Sequence, residues 1–302
     1  MTFATLLAAV SIVFPPEGAK LPHLERCYVM GAADAGESGF KVSGLQGSKV
    51  SEVQVSRTGA WATVVDVKPG TNVVEVGGVR RTFIVEPSKP SELTKPSKPY
   101  PKLEYASDKA KPHPVGKKPE EITVVLDAGH GGASTGAMSP HGLPEKDANL
   151  RLAKQVRDEL ARRGYKVVMT REDDVDVDLY DRPKVAHKAN ADLFVSIHHN
   201  APGYASDPFA IRSQSVYAWN EIGEKAAKAI NARMAAADPA LKNEGVLYAN
   251  FAVTRNPEIP SVLIEADFIT HSDGEVAAWD ASRRPRIAAA IADGIADWVA
   301  AK

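Results

Sequence analysis

The stretch from Glu86 to Pro119, EPSKPSELTKPSKPYPKLEYASDKAKPHPVGKKP, divides the chain in two. Proline recurs too often for a helix or a central strand, and no apolar period of 2 or 3.6 survives in it. It cannot join a packed core, and reads as a semi-rigid, solvated linker. Its lysine excess is read as the mark of a soluble spacer rather than a grip on an anionic polymer. Each side must therefore fold on its own core.

Residues 12–85 read as β. The candidate strands are VSIVF, CYVMGAA, VSEVQVS, AWATVVDV, NVVEV and RRTFIVE, parted by PPEG, ADAGESG and KPGTN. Short strands at this spacing predict a small β-sandwich-like module with Trp61 in its core. The opening MTFATLLAAVSIVF reads two ways. Its apolar run and small residues Ala8 and Ala9 suit an export signal, but the positive n-region is missing. Residues 1–11 are thus a signal remnant or the approach to a first strand at Ser11–Phe14.

Residues 120–302 alternate strand and helix. ITVVLDAG is a buried strand. A helix follows in which Leu152, Val156 and Leu160 recur, with Asp147 as its expected cap and Gly164 as its stop. Strand YKVVMT, helix RPKVAHKANA, strand DLFVSIHHN, helix 219–236, strand SVLIEADF and helix 285–300 complete the pattern. The fold class is α/β, a mostly parallel sheet flanked by helices on both faces, preceded by the β-module. In such sheets, sites gather at the carboxyl ends of strands.

Composition narrows the function classes. A formal net charge of −1 excludes the bulk basic character of a nucleic-acid binder. The single cysteine, Cys27, makes neither an internal disulfide nor a cysteine metal site. No apolar run reaches the roughly 20 residues of a transmembrane anchor.

Ionisable residues fall at one edge of the predicted sheet. His130 ends the strand in VVLDAGHGG, His198 and His199 end LFVSI, and Glu265 ends SVLI. Glu145 sits in GLPEKD, read as the loop ahead of the first helix. Two histidines and a carboxylate with a fourth position open form the pattern of catalytic zinc. A second carboxylate could then take a proton from the attacking water and pass it to the leaving group. Asp127 is placed to accept the other ring N–H of His130. Taken singly, a strand-end histidine is more often structural, and Glu145 would pass as a first-turn acid suited to the helix dipole. Glu265 directly after an apolar run is harder to dismiss, and the coincidence of all four outweighs the structural readings. Periodicity leaves the choice between His198 and His199 open.

The segments VVLDAGHGG, GLPEKD, TREDD, LYDRPKVAHKANADLFVSIHHN and PSVLIEADFITHSDGE occur in order from about Ile122 onward. In this the chain resembles the zinc-dependent N-acetylmuramoyl-L-alanine amidases, bacterial cell-wall hydrolases. The resemblance implies one zinc ion held by His130, Glu145 and His198, with Glu265 as the catalytic carboxylate. It also implies that His198 fills the ligand position, while His199 occupies one the family leaves variable. The glycines around His130 would clear space for metal and substrate. Peptidoglycan is the implied partner and a periplasmic or extracellular, wall-associated location the implied setting; no residue points to an activator protein.

Three positions depart from the family pattern. Asp267 stands where Gly is usual, His271 where Asn is usual, and Glu244 in place of the Arg of an Arg-Gly pair. They bear on substrate grip rather than on a proposed ligand. Little room remains between His198 and residue 219 for the inhibitory helix of some relatives, so an open cleft is expected. A zinc peptidase cutting elsewhere in the stem peptide is the alternative within enzymes, since the same chemistry hydrolyses either amide. A wall-binding module without activity is the alternative outside them.

Overall fold

A computed structural model describes residues 10–34, 40–43, 51–87 and 107–301. The signal-like start and most of the Pro/Lys-rich stretch lie outside these residues.

The N-terminal part contains eight strands: β1 (Ser11–Phe14), β2 (Lys20–Leu21), β3 (Arg26–Ala32), β4 (Phe40–Ser43), β5 (Ser51–Val53), β6 (Ala60–Asp66), β7 (Gly70–Val76) and β8 (Val79–Val85). They form two sheets, ordered β1-β3-β6 and β2-β8-β7-β4-β5. Trp61, Val29, Val76 and Phe83 are fully buried in one core, as the sandwich reading expects. β2 and β4 escaped the sequence reading; the two residues of β2 are too few to show alternation.

The second part is ordered β9 (Thr123–Ala128), α1 (Glu145–Arg162), β10 (Lys166–Met169), α2 (Arg182–Lys188), β11 (Leu193–Asn200), β12 (Gln214–Ala218), α3 (Glu221–Ala237), β13 (Asn243–Tyr248), β14 (Ser261–Phe268), α4 (Ser272–Trp279) and α5 (Arg283–Ala300). The sheet runs β10-β9-β11-β14-β12-β13. It is mixed: β12 lies antiparallel to β14, and the other pairings are parallel. β12, β13 and α4 were not anticipated.

Strand alternation decides what each face carries. Val124, Leu126, Leu193, Val195, Ile197, Val262 and Ile264 point into the core under α1, α3 and α5. Val125, Phe194 and Leu263 pack on the opposite face with Ala186 of α2 and with Val253 and Ile259. By the same period, His198 and Glu265 emerge on the α2 face, and His199 turns toward α1. No described helix is long and apolar enough to cross a membrane.

Two details of α1 differ from expectation. Glu145 is its first residue rather than part of the preceding loop, and the cap position is held by Pro144, with Asp147 inside the first turn. Both acids still suit the positive end of the helix dipole. Gly164, at φ +89°, ends the helix as expected.

From Ser107 onward the Pro/Lys-rich segment is tied to the α/β part at several points, although residues 108, 109, 112 and 115–118 stay exposed. The Ser107 and Lys111 amides donate to the carbonyls of Pro257 and Glu258. Lys117 pairs with Asp192 at 2.9 Å, and the His113 ring meets the Trp298 ring edge-on at 5.3 Å. The β-module also touches the α/β part directly. Tyr28 N–H donates to the Tyr204 carbonyl at 2.7 Å, Phe14 stacks on Tyr204 at 5.6 Å, and Arg57 pairs with Asp273 at 3.1 Å.

Candidate metal centre

Three side chains converge where β9, β11 and α1 meet. His130 Nε2 lies 3.3 Å from Glu145 Oε2, and His198 Nδ1 lies 3.0 Å from Glu145 Oε1. One donor atom from each lies within 4.8 Å of the others, the only such group of three or more His, Cys, Asp or Glu donors among the described residues. Glu145 is nearly enclosed, while the His130 and His198 side chains keep 30% and 17% of their surface exposed. The two histidine side chains therefore face a cavity rather than the core.

The chain conformation at His130 is unusual. With φ +61°, it holds the left-handed region that non-glycine residues seldom enter. Two buried arginines stabilise this turn. Arg182 donates to the carbonyls of Ala128, His130 and Val177, and Arg171 to those of Ala128, Gly129 and Lys146. Neither arginine was singled out from the sequence, although both lie in segments that carry the family resemblance.

The expected bond between Asp127 and the His130 ring does not form. Fully buried Asp127 accepts from Arg182 at 2.8 Å, Thr170 Oγ1 at 2.6 Å and Ser196 Oγ at 2.7 Å. It supports His130 indirectly, by fixing the arginine that grips the His130 carbonyl. The ring's own partner is Ser134, whose Oγ lies 3.0 Å from Nδ1 and leaves Nε2 for the site.

Glycines also make room inside the site itself. A Cβ on Gly129 would fall 2.2 Å from the His198 ring, and one on Gly136 would fall 2.5 Å from Glu145 Oε2. Their lack of side chains makes room for the site's own ligand atoms first.

Electrostatics separate the two glutamates. Burial opposes charge on Glu145, but hydrogen bonds and charge from His130 and His198 outweigh it and hold the carboxyl well below the usual range. Burial, reinforced by the Glu145 charge, pushes Glu265 well above it. Glu265 Oε2 is buried without a hydrogen-bond partner. Ionised Glu145 suits a cation, and the raised proton affinity of Glu265 makes its carboxylate form a stronger base, suited to proton transfer.

His130, His198 and Glu265 line a cavity of about 530 Å³. Its other wall is apolar, built from Val177, Leu179, Phe251 and Val253. Between Asn200 and β12 the described chain has no helix, in line with the expected open cleft.

The departures from the family pattern are structural ties. Asp267 is fully buried and receives both arms of Arg212, at 3.0 and 2.9 Å, with Arg283 at 3.2 Å. His271 caps α4 by accepting the Asp273 amide, and its ring lies 5.7 Å from Phe209. Glu244 pairs with Lys242 away from these residues.

Comparison with known proteins agrees with this geometry. The sequence profile of the N-acetylmuramoyl-L-alanine amidase family matches residues 124–297. N-acetylmuramoyl-L-alanine amidase AmiA of Escherichia coli (strain K12) is 34% identical over 218 residues, covering 57% of this chain and 74% of the relative. The probable cell wall amidase LytH of Staphylococcus aureus is 28% identical over 248 residues, covering 81% of this chain and 80% of its own. Among solved structures, amidase AmiC2 of Nostoc punctiforme superposes with a TM-score of 0.56 at 31% identity, covering 60% of this chain and 98% of that one.

Proposed function

The chain belongs to the N-acetylmuramoyl-L-alanine amidase family, and from that premise we propose a one-zinc mechanism in which His130, Glu145 and His198 hold the metal and Glu265 moves the proton. The reaction is hydrolysis of the amide joining N-acetylmuramic acid to L-alanine in peptidoglycan. Family membership favours this bond over the stem-peptide alternative.

The observation that carries the metal assignment is the convergence of two imidazole nitrogens on one ionised carboxylate. Two nitrogens and an oxygen suit zinc, and three protein ligands leave a position for water or substrate. Bound there, the ion would supply Lewis-acid polarisation of the scissile carbonyl and activation of water.

The remaining steps fall to the chain. Ser134 and Arg182 fix the ring and backbone of His130. Glu265, register partner of His198 on the neighbouring strand, stands beside the reacting centre with an unpaired carboxyl oxygen. It accepts a proton from the attacking water and returns it to the departing L-alanine amine. The apolar wall of the cavity gives the same centre a partly apolar lining against which substrate can pack.

Residues 12–85 serve as an accessory module, 86–119 as the connection and 120–302 as the catalytic domain. The cell-wall substrate of the relatives argues for action outside the cytoplasm, in a periplasmic or extracellular setting. Digestion of purified peptidoglycan followed by mass spectrometry tests the bond assignment. New L-alanine amino termini with intact disaccharides are expected; cuts within the stem peptide would replace this reading with the peptidase one.

A further inference from the structure

His199 follows the proposed ligand His198, yet strand alternation sends it to the opposite face of the sheet, where it is buried against α1. There its Nδ1 lies 2.9 Å from Asn149 Oδ1. Asn149, one helical turn after Glu145, places its Nδ2 3.0 Å from Glu145 Oε1 and 3.2 Å from the Gly129 carbonyl. Both of those partners can only accept, so the Asn149 amide is oriented with Oδ1 toward His199. His199 Nδ1 must then carry the proton.

We propose that His199 is a positioning residue for the metal site, acting through Asn149 to hold the Glu145 carboxylate in its ligating orientation. The inference rests on the reading that His130, Glu145 and His198 bind zinc.

The physical reason lies in the near-symmetry of an amide. Rotated by half a turn, Asn149 would aim Oδ1 at the Glu145 carboxylate, and two acceptors would repel. A fixed donor opposite Oδ1 selects the productive orientation. A buried Oδ1 without that donor would lose its partner and weaken the preference for the productive orientation. Glu145 would keep the Ala137 amide on Oε2 and the more distant His199 amide on Oε1. It would lose the side-chain donor that fixes its Oε1 edge. Outer contacts of this kind typically change metal affinity by about 10–100-fold.

Two variants separate positioning from simple space-filling. His199→Asn places an amide donor where Nδ1 stood but leaves part of the volume empty. His199→Leu fills a similar volume without a donor. Zinc affinity is measured by chelator competition on the full chain, alongside the cobalt(II) absorption spectrum. Circular dichroism of the metal-free proteins checks the fold. We expect His199→Leu to bind zinc about 10–100-fold more weakly with an altered cobalt spectrum, and His199→Asn to stay near wild type. If His199→Leu does not fold, His199→Met, flexible and also without a donor, takes its place. Unchanged affinity in the donor-free variant, or equal loss in both, overturns the positioning role. A wild-type chain that binds no zinc would overturn the metal reading itself, a failure visible before any variant is made.

Discussion

His198 on β11 and Glu265 on β14 are register partners across two parallel strands, and both line one cavity. Pairing sets a proposed metal ligand and a proton-transfer group side by side on rigid elements, where neither depends on a loop.

That relationship makes Glu265→Gln the cleanest test of the mechanism. Glutamine preserves shape but cannot take a proton from water. The variant should bind zinc and peptidoglycan normally and turn over roughly 10²–10⁴-fold more slowly, measured as kcat on soluble muropeptide. Zinc loss alongside the rate loss would make Glu265 a ligand. Near-normal turnover would shift attention to His271, and Glu265→Gln/His271→Ala would show whether that residue substitutes.

For the metal itself, His130→Ala or His198→Ala should release most zinc, read by elemental analysis. The apolar core beneath α1, α3 and α5 does not include these side chains. Circular dichroism should therefore report a folded protein. Full zinc occupancy in His130→Ala would show that the site is misassigned.

A truncation beginning at residue 107 should be more stable than one beginning at 120. The longer form keeps the Lys117–Asp192 pair and the cover that His113 gives Trp298. Both forms should hydrolyse soluble muropeptide, and the shorter should melt lower by at least about 4 °C. Equal melting temperatures would return residues 107–119 to the role of a free spacer.

The strands and helices with long, strongly periodic patterns were legible in the sequence, as Leu152, Val156 and Leu160 on α1 illustrate. So were the residues that meet at the candidate metal site, although the choice of His198 over its neighbour His199 rested on the family resemblance rather than on periodicity. What escaped were contacts between residues far apart in the chain. Nothing local marks Arg182 as the partner of Asp127, or Ser134 rather than Asp127 as the partner of the His130 ring. The bound state of Ser107–Lys117 was hidden for a different reason: its partners are mostly backbone carbonyls and one buried acid, which leave no periodic trace.

Asp267 shows what a departure from a family pattern can do. Between the register points His198–Glu265 and Asn200–Phe268, β14 carries one more residue than β11, a bulge that includes this segment. Asp267→Ala should cost about 3 kcal/mol in urea unfolding, because it strands Arg212 and weakens the hold on Arg283. Zinc affinity should be unaffected. A loss below about 1 kcal/mol would mean the Arg212 pair is merely a surface contact.

The buried His199 ring predicts a pH dependence with a definite sign. Its folded pKa, about 4, lies below the ordinary value of 6.5. Between those values the unfolded chain binds a proton that the folded chain refuses. Stability from this group is therefore complete above about pH 6.5 and declines as the pH falls toward 4. The full effect is about 3 kcal/mol, because each tenfold loss of proton affinity on folding corresponds to about 1.4 kcal/mol. Glu265 contributes the opposite trend, since its raised pKa favours the folded state at low pH. Comparison with His199→Asn cancels that contribution, because both proteins retain Glu265. In zinc-free protein, the stability of wild type relative to His199→Asn should fall as the pH is lowered from about 7 to about 4.5, measured by urea unfolding at each pH. A difference that stays constant across that range would mean the folded ring binds its proton as readily as the unfolded one, and a difference that grows in favour of wild type would mean the fold prefers the protonated ring; either would overturn the neutral buried ring.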